Sequence, residues 1–161
     1  MPNTLIISSS PAALRLKWDV FLSFRGEDTR HGFTENLFES LSKEDIRVFL
    51  DNSGMTQGDE IAPTLMEAIE DSALSIIILS PRYANSHWCL EEVARICELR
   101  RLILPVFYQV EPSDIRRQKG PLEQDFMDHM ERFGEEKVGK WREAMKKVGG
   151  ISGFFVSDDD R

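Results

Sequence analysis

Cysteine is scarce in this chain: only Cys89 and Cys97 occur among 161 residues. Eight positions apart in one helical stretch, they would lie about 12 Å apart at ~1.5 Å rise per residue, too far to be bridged. A disulfide framework is excluded, and two unpaired thiols fit a reducing, cytoplasmic or nucleocytoplasmic setting. Histidine is equally sparse. His31, His87 and His129 are scattered with no metal-ligand spacing, so no metal site is expected. Positive charge is in deficit, with 20 Lys and Arg against 28 Asp and Glu and a formal net charge of −8. Such a balance argues against non-specific nucleic-acid binding, which needs many phosphate-neutralising cations. It leaves room for one small anionic ligand in a local basic pocket. Long apolar runs are missing too. The longest, Leu102–Tyr108, falls far short of the ~20 residues of a membrane span, so no membrane partner is expected.

What the chain does have is 41% hydrophobic residues, enough for the core of one domain. Residues 1–15, rich in Ser, Pro and Ala without a basic start or long apolar core, read as a flexible leader rather than a secretory signal. Residues 16–157 read as the folded domain and 158–161 as a solvated tail. Five short apolar runs recur, at Trp18–Phe24, Ile46–Leu50, Leu74–Leu79, Leu102–Tyr108 and Gly153–Val156. They do not alternate with polar residues, the mark of strands buried on both faces. Pro105 weakens the fourth as a central strand and marks a bulge or an edge. Helical spacing separates the runs. Phe33, Leu37 and Leu41 follow Asp28 or Thr29 as caps, Leu65 and Ile69 follow Pro63, and residues 87–101 and 136–148 complete the set. Residues 109–135 form a longer, less regular connection. Alternating strands and helices imply a parallel sheet covered on both faces, with the flavodoxin-like order 2-1-3-4-5 leading.

In open sheets of this kind ligands bind at the carboxyl ends of the strands. There the chain gathers Arg25, Arg30, Asp51, Trp88 and Glu92. Arg25-Gly26 before a helix start suits an anion, because glycine lets the backbone approach and arginine offers forked donors. The plainer alternative is that Arg25 and Arg30 pair with Glu27 and Asp28. The polar loop Asp51–Glu60, with Gly54 and Gly58, reads as a lid or binding loop or as a plain connection. Glu91 and Glu92 separate on a helical wheel. Glu91 falls on the wet side beside Arg95 and Glu98, with an i,i+4 pair to Arg95. Glu92 falls at the core boundary beside Trp88, Ile96 and Leu99, where a carboxylate is a candidate functional group.

Two uses of this fold can be set aside. Gly134 to Lys140 spells G-x-x-x-x-G-K, but Trp141 stands where a phosphate loop needs Ser or Thr, and no strand precedes it. It reads as the start of the last helix. A phospho-receiver needs acidic clusters after the first and third strands, where this chain has Ser23-Phe24-Arg25 and Ser80-Pro81.

Several stretches together resemble the Toll/interleukin receptor (TIR) domain in the form found in plant disease-resistance receptors. They are Asp19-Val-Phe-Leu-Ser-Phe-Arg-Gly-Glu-Asp-Thr-Arg30, Gly58-Asp-Glu-Ile-Ala62, Ser80-Pro-Arg-Tyr-Ala84, Ser86-His-Trp-Cys-Leu-Glu-Glu92, Leu104-Pro-Val-Phe-Tyr108 and Glu111-Pro-Ser-Asp-Ile-Arg116. The resemblance implies a self-associating signalling domain that cleaves NAD⁺ or NADP⁺ at the nicotinamide–ribose bond, with no tightly bound cofactor. It makes Glu92 the catalytic residue and Phe24, Arg25, Gly26, Arg30 and Trp88 the substrate contacts, with 51–61 as a mobile lid. It implies other TIR domains as partners, through the first and last helices, here His31–Asn36 and Lys137–Lys147. Glu35-Asn36 stands where many relatives carry Ser-His, and Val93 where Leu is usual. Relatives continue into further domains, so the chain is expected to be an excised domain or a short form. The alternative function is a self-association scaffold without catalysis.

Overall fold

The computed structural model describes residues 16–50 and 63–157, so the leader, the lid at 51–61, the motif Gly58–Ala62 and the tail lie outside the described residues. Strand β1 (Trp18–Ser23) leads into the one-turn helix α1 (Gly26–Thr29), then α2 (Phe33–Lys43) and β2 (Val48–Phe49). Helix α3 (Pro63–Glu70) precedes β3 (Ser72–Leu79), and a 3₁₀ turn at Tyr83–Asn85 leads into α4 (His87–Leu99). After β4 (Leu102–Tyr108) come α5 (Pro112–Arg117), α6 (Glu123–Phe133), α7 (Glu135–Gly149) and β5 (Phe154–Val156). All strand pairs are parallel, in the order β2-β1-β3-β4-β5. This is the expected flavodoxin-like sheet.

Strand alternation sorts the core into two layers. Phe21, Ile77, Leu79 and Phe107 face one side, where α3 to α7 pack over them with Leu90, Val93, Ile115, Phe126, Trp141 and Met145. Val20, Leu22, Ile76, Ile78 and Val106 face the other, covered by the half-buried Phe33, Leu37, Phe38 and Leu41 of α2. Helices α2 and α7 therefore lie on opposite faces of the sheet, and the segments His31–Asn36 and Lys137–Lys147 are carried on different faces.

Four local expectations change. Asp28 and Thr29 do not cap α2; both belong to α1, and α2 starts after Gly32 with no side-chain cap. Asp28 instead accepts the Arg82 backbone N–H at 2.9 Å, and Thr29 Oγ1 bonds Thr34 Oγ1 at 2.6 Å. The irregular connection 109–135 contains α5, a 3₁₀ turn at Gly120–Leu122 and α6, stopped by Gln118 and Gly134 at positive φ. α4 ends at Leu99, because Arg100 adopts φ 59°. Pro105 sits inside β4, opposite Ile77. Its pairing on the other side begins only at Val106 with Phe154, so the missing N–H falls before β5 starts. Gly153 passes closely there: a Cβ on it would lie 2.1 Å from the Pro105 carbonyl oxygen, so only glycine lets the chain enter β5.

Candidate functional site

β1 leaves the sheet through Phe24-Arg25-Gly26 and enters α1. Across the crevice α4 is started by Ser86, whose Oγ accepts the Cys89 N–H at 3.3 Å. The cap fixes the first turn so that Cys89 and Glu92 meet the end of β1. Cys89 Sγ donates to the Phe24 carbonyl at 3.5 Å, and Ser23 Oγ donates to Glu92 Oε1 at 2.7 Å. Phe24, Arg25, Gly26, Arg30, Cys89 and Glu92 line a common cavity of about 40 Å³. That is room for a few waters, well below the ~300 Å³ where small-molecule pockets begin.

Glu92 is 5% exposed. Arg25 donates from Nη2 to Asn85 Oδ1 at 3.3 Å and pairs with Glu27 at 3.5 Å, while its buried Nε has no hydrogen-bond partner among the described residues. Asn85 is held in turn by Asp125, to which its Nδ2 donates at 3.3 Å. The Arg30 guanidinium lies 4.9 Å from the Phe24 ring centre, a cation–π contact. A Cβ on Gly26 would come within 3.3 Å of that guanidinium, so the bare backbone makes space for it. The plainer alternative thus holds in part, for Arg25 and Glu27.

The paired glutamates separate, though not with the expected neighbours. Glu91 pairs with Lys137 of α7 at 3.3 Å, and Arg95 turns to Glu70 and Glu98. The i,i+4 pair is replaced because α7 packs beside α4 and supplies a lysine. Trp88 does not line the cavity; its ring lies 4.2 Å from that of His87, which also meets Phe133 at 4.9 Å. Asp51 lies outside the described residues. Sequence reasoning passed over Ser23, Tyr83 and Asn85. The first two carried a signal: a hydroxyl ending an apolar strand and a phenol in a buried turn both need partners.

Burial pushes the Cys89 thiol far up, and nearby Glu92 pushes it the same way. Cys97, half-buried, is raised by burial as well. The thiolate is the reactive form. In native protein at pH 8, a chromogenic disulfide reagent is therefore expected to leave Cys89 unmodified over the time in which urea-unfolded protein reacts at both cysteines.

A charged crevice at the carboxyl edge of a five-stranded parallel sheet defines the class: a doubly wound α/β domain of flavodoxin-like order. The TIR domain family model matches residues 17–160, and the chain belongs to that family. It is 41% identical over 157 residues to disease resistance protein RPV1 of Vitis rotundifolia, covering 94% of this chain and 11% of that protein. It is 37% identical over 159 residues to TMV resistance protein N of Nicotiana glutinosa, covering 95% of this chain and 14% of that protein. The chain thus spans between about a tenth and a seventh of the length of these relatives. Among solved structures, the TIR domains of the activated Roq1 resistosome, which directly recognizes the pathogen effector XopQ, match with a TM-score of 0.78. That match has 40% identity and covers 86% of this chain and 87% of that one. Among the described residues no helix is long and apolar enough to cross a membrane.

Proposed function

We propose that this chain is a self-associating TIR signalling domain of a plant immune receptor that cleaves NAD⁺ or NADP⁺ between nicotinamide and ribose. One observation carries the reading: a buried carboxylate, Glu92, shares a cavity wall with Arg25 and Arg30 at the carboxyl edge of the sheet. In the substrate the nicotinamide is already cationic. When the C1′–N bond breaks, the electron pair stays on the ring nitrogen and nicotinamide leaves neutral, so no general acid is needed. One carboxylate can then serve where most glycosidases need two. Glu92 stabilises the oxocarbenium-like charge left on the ribose. Water adds at C1′ and releases a proton. Arg25 and Arg30 bind the anionic diphosphate.

At about 40 Å³ the cavity must open before a dinucleotide enters. Opening is assigned to assembly with further copies, in line with the resistosome in which the Roq1 TIR domains occur. The test is nicotinamide release from NAD⁺ by concentrated protein, with and without a fused oligomerisation domain. The small cavity also favours the rival reading, a scaffold without catalysis. Signalling that persists in Glu92→Ala would establish the scaffold and end the enzymatic reading.

A further inference from the structure

We propose that Ser23 is a positioning residue for Glu92, holding its carboxylate through a buried hydroxyl relay anchored by Tyr83. The inference rests on the catalytic reading of Glu92 and adds a residue to it. Ser23 ends β1 and is fully buried. Its Oγ lies 2.7 Å from Glu92 Oε1 and 2.6 Å from the Tyr83 hydroxyl. Tyr83, also fully buried, lies 3.2 Å from the Cys89 carbonyl oxygen.

Proton counting orders this chain. A serine hydroxyl has one proton, and an ionised carboxylate can only accept. When Glu92 is charged, Ser23 spends its proton on Oε1, and the phenol must donate to Ser23. Burial holds the phenol well above its ordinary pKa, so it keeps the proton it donates. The bond from Ser23 is charge-assisted and short, and it strengthens when a second donor polarises the serine oxygen. If Glu92 were protonated the chain could run the other way, from Glu92 to Ser23 to Tyr83 to the Cys89 carbonyl. Every hydroxyl keeps a partner in both directions, so the relay tolerates a proton on Glu92. The charge-assisted direction is the stronger, and it favours the carboxylate over the acid.

The serine also fixes geometry. β1 is an inner strand, paired with β2 and β3, and it places Ser23 Oγ rigidly at the sheet edge. Tying one carboxylate oxygen there sets the plane of the whole group. A catalytic group must be held within a fraction of an ångström to act at full rate.

The experiment compares wild type with Ser23→Ala, Ser23→Thr and Tyr83→Phe, all checked for wild-type thermal unfolding. Ser23→Ala should lower kcat for nicotinamide release about 10- to 100-fold with KM nearly unchanged, since a hydrogen bond to a charged group is lost. The acid limb of its kcat–pH profile should move to higher pH. Ser23→Thr, which keeps the hydroxyl, should restore most of kcat and return the acid limb. Tyr83→Phe leaves the serine proton in place and should fall between. A Ser23→Ala enzyme with wild-type kcat and acid limb overturns the proposal. If wild type releases no nicotinamide, the catalytic reading fails separately. The positioning role is then decided by the Glu92 side-chain carboxyl ¹³C resonance, which should titrate at higher pH in Ser23→Ala and at the wild-type position if Ser23 does nothing.

Discussion

Glu92→Ala is expected to lower nicotinamide release by about a thousand-fold, to the background of the assay, while Glu91→Ala stays at the wild-type rate. The first figure follows from removing the charge that opposes developing positive charge on the ribose in a water-poor cavity, typically worth 10²–10³ or more. The second follows from place. Glu91 makes a surface ion pair with Lys137, a contact worth at most about 1 kcal/mol of stability and remote from the cavity. The two side chains are neighbours in sequence with the same charge. A difference between the variants therefore cannot come from net charge or from loss of a glutamate in this helix. The measurement is steady-state nicotinamide release on assembled protein, with assembly checked by light scattering so that failure to associate is not mistaken for lost chemistry. Equal rates in both variants would remove Glu92 from the mechanism.

The second large effect is on folding. Trp141→Ala should destabilise the domain by about 3–5 kcal/mol, the range for deleting a buried large aromatic side chain. Trp141 is 1% exposed and is the largest fully buried side chain. Its ring meets Phe133 at 5.3 Å and His129 at 5.5 Å between ring centres, so its removal leaves edge-to-face partners facing a void. His129 would lose part of the packing that holds its ring, whose Nε2 lies 2.7 Å from the Ala84 carbonyl oxygen beside the site. Urea unfolding measures the effect. Trp88→Ala, at a half-buried position with its ring tilted against that of His87, should cost clearly less. If the two tryptophans cost the same, the packing argument is wrong.

Where periodicity was strong, the chain was legible from residues alone. The short, mostly apolar runs marked β1, β3 and β4 because strands buried on both faces do not alternate regularly with polar residues. The wheel separated Glu91 from Glu92 because helical geometry is local. The same wheel could not see that Lys137, 46 positions after Glu91, would take it from Arg95. Nor could it see Ser23 reach Glu92 across 69 positions. Those contacts depend on how α4, α7 and β1 come together, which is tertiary. α5 and α6 were missed because Gln118, Gly120 and Gly134 at positive φ break the connection into pieces too short for a clear period. Trp88 sits on the expected helix, one turn before Glu92, but its ring takes His87 as a neighbour and leaves the cavity wall to Cys89.

The two sides of the sheet are clamped unequally. On one side α4 and α7 bury Leu90, Val93, Ile96, Val138, Trp141, Met145 and Val148 almost completely. On the other, α2 buries only Thr34 fully and lays four half-exposed apolar side chains on the strands. Opening free energy follows buried apolar contact, so α2 is held to the sheet less tightly than α4 or α7. It begins three positions after Arg30, on the same stretch of chain that walls the crevice. The less tightly packed helix and the crevice wall are therefore parts of one continuous stretch of chain. Widening the crevice from that side would break less apolar contact than prising away α4 or α7.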